Sequence, residues 1–203
     1  GFRQYLGIPL KLKTYINIFI LIPILMVLTY WLFGYICSTK GIKMQALEIF
    51  RLDHFFFYTL NEELILGALL LFTLKLKFSK VDPLILSCSA AILFSIMHYI
   101  MYRWVFQTNA ELNLLTIISL FLIGVARNNL ILFTGHIGYS WALHFSSIKI
   151  MFGFIWIYSE TRRPLSEVET FNTFLGNELT LILVLFLATA TLILKPRESI
   201  KTS

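Results

Sequence analysis

The stretch from Tyr15 to Ile36 contains no charged side chain, and a run of that length is what most constrains the fold. About 20 apolar residues in a helix cross the roughly 30 Å hydrocarbon layer of a bilayer. Inside that layer every backbone N–H and C=O must be bonded within the protein, which leaves only helices or a closed barrel. A window of about 19 residues finds roughly six such runs. They cover Tyr15–Ile36, Phe50–Leu74, Leu84–Tyr102, Leu112–Phe133, Tyr139–Tyr158 and Glu178–Leu194. None shows the alternation over about 10 residues that marks a transmembrane strand. The expected fold is therefore all-α: a polytopic transmembrane helical bundle of about six spans, with residues 1–203 forming a single integral-membrane domain.

Local signals sharpen some of these ends. Asp82 can cap the third run and Pro83 suits its first turn. Pro23 is expected to kink the first run, and Thr134-Gly135-His136-Ile137-Gly138 reads as a tight turn. The last run follows a polar connection rich in Arg, Glu, Ser and Thr.

Composition agrees with a membrane class. The chain is 58% hydrophobic and 14% charged, against about half and a quarter in soluble domains. The net charge of +6 comes with no basic face or RNA-binding motif, so nucleic acid is not an expected partner; lysines flanking the spans explain it. Cys37 and Cys88 lie in apolar surroundings at no metal-like spacing and read as packing residues. The chain opens at Gly1, so its start is expected to be missing or processed. With no signal-peptide cleavage pattern, the first run itself is expected to direct insertion.

Six spans put both ends and the second loop on one side. That side holds Arg3, Lys11, Lys13, Lys75, Lys77, Lys80, Lys195, Arg197 and Lys201; the other holds Lys40, Lys43, Arg51, Arg103, Arg162 and Arg163. Nine against six places both termini in the cytoplasm.

An ionisable residue at the centre of a span costs on the order of 2.5–3.5 kcal/mol by insertion scales, so its default reading is functional. The residues that meet this test are Glu62, Glu63, His98, Arg127, Asn128, His144 and Lys149. Adjacent residues on a helix point about 100° apart, so Glu62 and Glu63 cannot both face one site squarely. One can do chemistry while the other ties down a neighbouring helix, or the two can form a structural pair with Arg127 or Lys149. Repulsion and lost hydration favour keeping at least one protonated, or poised as a base.

His98 and His144 taken singly read as hydrogen-bonded interhelical residues. With the Glu pair on a third span they make an acid–base constellation. Arg127 is expected to pair with a buried acid such as Glu63, while Lys149 can snorkel. The run boundaries separate His98 from His144 by about 12 Å along the membrane normal at about 1.5 Å per residue, so a shared site requires tilted helices or shifted ends.

Glu62-Glu63, then Phe94-x-x-x-His98, then His144 shortly after a Thr-Gly turn resemble the CPBP family. These are the CAAX prenyl-protease and bacteriocin-processing intramembrane endopeptidases, also called Abi. The family's motifs EExxxR, FxxxH and HxxxN occur in that order on separate helices. They match here Glu62-Glu63 with Gly67, Phe94 with His98, and His144 with Ile148. The likeness covers roughly residues 56–152, and the family arginine and asparagine are replaced by Gly67 and Ile148.

The resemblance implies a hydrolase that cleaves a peptide bond of a membrane-associated polypeptide inside the bilayer. Glu62 would be the general base, His98 its partner and His144 an oxyanion donor, with Glu63 supporting the site. Ser147, Ser140 or Asn128 could fill the missing asparagine role, and Arg127 the missing arginine. It also implies a multi-pass protein of a bacterial inner membrane. No cofactor is expected: two histidines and a carboxylate could bind zinc, but no run has the HExxH spacing, so a glutamate-activated water is the preferred reading.

Two other classes remain open. A proton-coupled transporter also carries mid-membrane Glu, His and Arg, although no repeat relates the halves. The replacements at Gly67 and Ile148 keep a non-catalytic peptide-binding or immunity relative in play. Oligomeric state is not legible.

Overall fold

The computed structural model describes residues 7–9, 11–46, 53–106, 111–158 and 164–194. Among the charges used for orientation, Arg3, Arg51, Arg162, Arg163, Lys195, Arg197 and Lys201 lie outside these residues, as does Phe50 at the start of the second run.

The chain is mostly helical. α1 (Leu12–Thr39) is continuous through Pro23. After β1 (Lys43–Ala46), α2 (Asp53–Glu62) passes through a π-helical turn, Glu63–Leu69, into α3 (Leu70–Lys77). α4 (Pro83–Ile100) continues as a π-helical turn, Met101–Phe106. α5 (Leu114–Thr134) leads to α6 (Gly138–Ile148), which continues through the π-helical turn Lys149–Phe154 into β2 (Ile155–Tyr158). α7 (Glu167–Phe174) and α8 (Glu178–Leu192) complete the order.

Several ends lie where the sequence places them, for the reasons it offers. Asp82 accepts a hydrogen bond from Leu84 N at 2.7 Å, with Pro83 in the first turn of α4. The start of α5 differs from the expected one: Asn113, inside the expected run, caps the helix by accepting from Thr116 N. Gly135 ends α5 in the left-handed region, φ 74°, where glycine carries no Cβ penalty.

Two expectations are corrected. The fifth run is not one helix to Tyr158: residues 155–158 pair antiparallel with β1, Lys43 opposite Tyr158 and Ala46 opposite Ile155. Ile155-Trp156-Ile157-Tyr158 is β-branched and aromatic, a composition that suits a strand as well as a span, so hydropathy alone does not separate the two. The polar connection before the last run is also not all loop. Ser166 and Glu169 form a reciprocal capping box that starts α7, and Val168, Phe171 and Phe174 of α7 are buried in the main core.

Four helices among the described residues are long and apolar enough to cross a membrane, beginning at Leu12, His54, Pro83 and Leu114. α7 and α8, bent by 71°, make up to a fifth. Expectation had about six. Gly176 allows the bend: a Cβ there would sit 2.4 Å from Asn172 O and 2.5 Å from Asn113 Nδ2.

α5 is the central helix and α1 a peripheral one, with 56% and 17% of their apolar windows buried. Phe19, Trp31 and Leu28 of α1 and Phe186 of α8 are exposed, as expected of side chains that face lipid. α5 packs against α4 and α8, and α1 against α6. Gly124 brings α5 close to α4, where a Cβ would lie 3.1 Å from Ala91 Cα. Small residues permit such approach in membranes, and hydroxyls join helices there. Ser119 Oγ donates to Leu175 O at 2.7 Å, Ser146 Oγ to Ile22 O at 3.1 Å, and Trp141 Nε1 to Thr59 Oγ1 at 3.1 Å. Both cysteines are free thiols, Cys37 buried and Cys88 half-buried.

Candidate active site

The Glu pair straddles the junction between α2 and the π-helical turn. A wide turn of this kind is a frequent companion of functional sites. Glu63, the first residue of the turn, is fully buried. Its Oε2 accepts from Ser140 Oγ at 2.8 Å, its Oε1 lies 3.1 Å from His144 Nδ1, and Arg127 Nη1 stands 3.6 Å from the same Oε1. Gly67 lies one helical turn on, where a Cβ would meet Glu63 Oε2 at 3.1 Å and Ile131 Cδ1 at 2.9 Å. An arginine at position 67, as in the EExxxR pattern, would have to displace the Ile131 and Glu63 side chains. Arg127 on α5 supplies a guanidinium to Glu63 from the neighbouring helix.

Arg127 is 2% exposed. Its Cζ lies 4.3 Å from the centroid of the Phe94 ring, within cation–π range. None of its three guanidinium nitrogens has a hydrogen-bond acceptor among the described residues, since 3.6 Å to Glu63 is ion-pair rather than hydrogen-bond distance. Asn128, the next residue, points elsewhere: its Nδ2 donates to Ser87 O at 2.9 Å.

α6 presents Ser140 and His144 on one face, four residues apart. A carboxylate only accepts, so the contact with Glu63 places a proton on Nδ1 of His144. The other nitrogen, Nε2, then stands 3.8 Å from Glu62 Oε2. Ile148, at the family's asparagine position, is buried and carries no donor. Ser147 donates to Leu143 O. Lys149 does not snorkel: it is 1% exposed, with Nζ 5.7 Å from the Phe55 centroid.

Nδ1 of His98 lies 2.9 Å from Phe94 O, which as an acceptor leaves the Nε2 lone pair for other partners. Glu62, His144 and Arg127 share a cavity of about 650 Å³ with this ring, together with Ser140 and Ser147. The expected separation of the histidines is reduced by the observed helix ends. α4 extends as helix to Phe106 and the fifth run stops as helix at Phe154, and both changes move the midpoints toward the histidines.

Glu62 faces this cavity, and its Oε1 has no hydrogen-bond partner among the described residues. The cavity walls are otherwise mostly apolar, with Leu25 and Leu32 from α1 and Val184 and Leu187 from α8. Tyr58, Tyr102 and Glu167 also line it and were missed by sequence reasoning. Tyr102 donates to Glu167 Oε1 at 2.5 Å, tying the turn after α4 to α7. Tyr102 is four residues after His98, a spacing that offers a signal. Glu167 sits in the polar connection and offers none.

Among the described residues no three His, Cys, Asp or Glu side chains come close enough to hold a metal ion. The cavity lining brings together a carboxylate (Glu62), two imidazoles (His98 and His144) and a guanidinium (Arg127). No family model matches the chain, and neither a curated protein nor a solved structure does.

Proposed function

We propose that the chain is an intramembrane endopeptidase, a divergent relative of the CPBP family, which hydrolyses a peptide bond of a membrane-associated polypeptide with a Glu/His-activated water. The observation that carries this reading is the convergence of Glu62, His98 and His144, from three helices, on one largely apolar cavity. Three ionisable groups far apart in sequence are costly to gather in lipid, and acid–base work is the function that uses them together.

Glu62 accepts a proton from water as the water oxygen bonds to the scissile carbonyl carbon. The C=O π pair moves to the carbonyl oxygen. His98, with Nδ1 anchored on Phe94 O, accepts the second water hydrogen at Nε2 as a hydrogen bond and orients the attack. Collapse re-forms C=O and breaks C–N, and the proton held by Glu62 passes to the leaving amine. One water is consumed, and a carboxylic acid and an amine result. Glu63 does not take part in proton transfer; it holds His144 and Arg127 in place. The apolar walls strengthen every charge interaction inside them.

In this reading the protein is a multi-pass resident of a bacterial inner membrane with both ends cytoplasmic. The test is reconstitution in liposomes with membrane-anchored precursor peptides, comparing wild type with Glu62→Gln, His98→Ala and His144→Ala. Cleavage that each substitution lowers by about a hundredfold or more, and that zinc chelation spares, is the expected result. Proton or solute flux without cleavage would instead identify a carrier. Peptide binding that survives all three substitutions, again without cleavage, would identify a non-catalytic relative.

A further inference from the structure

The guanidinium of Arg127 is the one full positive charge described at the cavity whose hydrogen-bond donors are all unengaged by protein acceptors. We infer that Arg127 is the oxyanion-binding residue of this site, donating to the oxygen that becomes negative when a carbonyl is attacked. The inference rests on the endopeptidase reading and adds a residue that the motif likeness does not assign.

Three observations converge on it. First, Arg127 is 2% exposed and lines the same cavity as Glu62 and His98. A buried guanidinium with five N–H groups and no acceptor is costly, and a ligand oxygen arriving beside it removes that cost. Second, Arg127 is already aimed. Glu63 draws Nη1 to 3.6 Å from one side and the Phe94 ring lies 4.3 Å from Cζ, so little reorientation is needed as charge develops. Third, the donors that the motif likeness offered for this role are engaged elsewhere or absent, and the Thr180 hydroxyl, which also lines the cavity without a partner among the described residues, carries no positive charge to match an oxyanion. Asn128 donates to Ser87 O, Ser140 reaches Glu63 and Ile137 O, Ser147 donates to Leu143 O, and residue 148 is isoleucine. His144 has its Nδ1 on Glu63.

In the balanced step, the electron pair displaced from the carbonyl by water comes to rest on an oxygen held by Arg127 N–H groups. It returns to carbon when the C–N bond breaks. Arg127 transfers no proton.

The full chain in lipid nanodiscs is titrated with di-n-hexylphosphinate, a tetrahedral monoanion with apolar arms, and binding is read by ³¹P NMR. Uncharged di-n-hexylphosphine oxide serves as the shape control. Arg127→Gln is expected to weaken phosphinate binding by about a hundredfold and to leave the oxide unchanged. Arg127→Lys should give a partial loss, because a point charge replaces the fork. Glu63→Gln/Arg127→Gln, which removes both buried charges, provides a neutral variant that keeps the test open if the single variant fails to fold; it should show the same selective loss. Equal phosphinate affinity in wild type and variants would overturn the inference, as would no phosphinate binding by wild type or a parallel loss of the oxide. Cleavage without phosphinate binding sinks the arginine assignment alone, whereas phosphinate binding without cleavage sinks the protease reading and with it the oxyanion role, leaving Arg127 as an anion-binding residue.

Discussion

Oε1 of Glu63 lies 3.1 Å from Nδ1 of His144, while Nε2 of the same ring stands 3.8 Å from Oε2 of Glu62. Two adjacent residues of one helix thus approach a single imidazole at its two nitrogens. Glu63 is fully buried and also reaches Ser140 and Arg127. Glu62 keeps an oxygen without a protein partner at the cavity. The pair divides into a buried carboxylate that holds its neighbours and one that keeps an oxygen unpartnered, among the described residues, at the cavity.

Glu63 and Arg127 should be coupled. Removing one member of a buried ion pair leaves the other charge uncompensated, at about 3–5 kcal/mol. Glu63→Gln and Arg127→Gln are each expected to destabilise the bundle by that amount in denaturant unfolding from mixed micelles. Glu63→Gln/Arg127→Gln should recover most of the loss. Additive losses in the double variant would show that the 3.6 Å contact carries no coupling.

Restoring the EExxxR pattern should harm this protein rather than improve it. A Cβ at position 67 meets Ile131 and Glu63 at 2.9 and 3.1 Å, and overpacking typically costs about 1–3 kcal/mol. Gly67→Ala is expected near the low end of that range and Gly67→Arg beyond it, with loss of peptide cleavage. Gly67→Arg matching wild type in melting temperature and turnover would mean that Arg127 does not hold the place of the motif arginine.

Ser140 completes the ring of donors around Glu63 at 2.8 Å. Ser140→Ala leaves a buried carboxylate oxygen short of a donor, a loss of about 1–3 kcal/mol. Unfolding should report it, while Ser147→Ala, whose hydroxyl bonds only its own helix, should change stability little.

The cavity should be wet. In a background with Cys37 and Cys88 replaced, Ser147→Cys should react with a small membrane-impermeant thiol reagent, because Ser147 lines the cavity. Ser87→Cys, buried between α4 and α5, should not. Equal protection of both positions would argue against a hydrated site.

Much of the helical framework was legible. Long apolar runs mark the first four apolar helices, and Asp82 and Gly135 mark ends, because hydropathy and capping act over a few residues. The fifth run misled for a local reason: Ile155-Trp156-Ile157-Tyr158 is as apolar as a span, and its pairing with residues 43–46 is a long-range contact that hydropathy does not register. α7 was hidden because its polar caps resemble a loop, while its buried Val168, Phe171 and Phe174 are too few to raise the window average.

The candidate site was legible as a set of residues and only in part as a set of contacts. The cost of placing Glu62, Glu63, His98, Arg127 and His144 in apolar helices is a property of each residue, and it singles them out from composition alone. Of the contacts, Arg127 with Glu63 was expected from the need to pair a buried cation, whereas the approach of His144 to both carboxylates was not. Helix rotation, the π-helical turn at Glu63–Leu69 and the absence of a Cβ at Gly67 bring Arg127 of α5 to Glu63. The same packing turns Asn128, one residue further, about 100° away to the Ser87 carbonyl.

The amino-acid sequence by itself determined the solvent this chain is built for and the charges it must shelter, since transfer into lipid is assessed residue by residue. The tertiary structure decided the geometry of those charges and which imidazole nitrogen each carboxylate approaches. Pairing inside a bundle depends on the relative rotation and approach of helices distant in the chain, to within about an ångström in a 1/r interaction, and no local pattern encodes that.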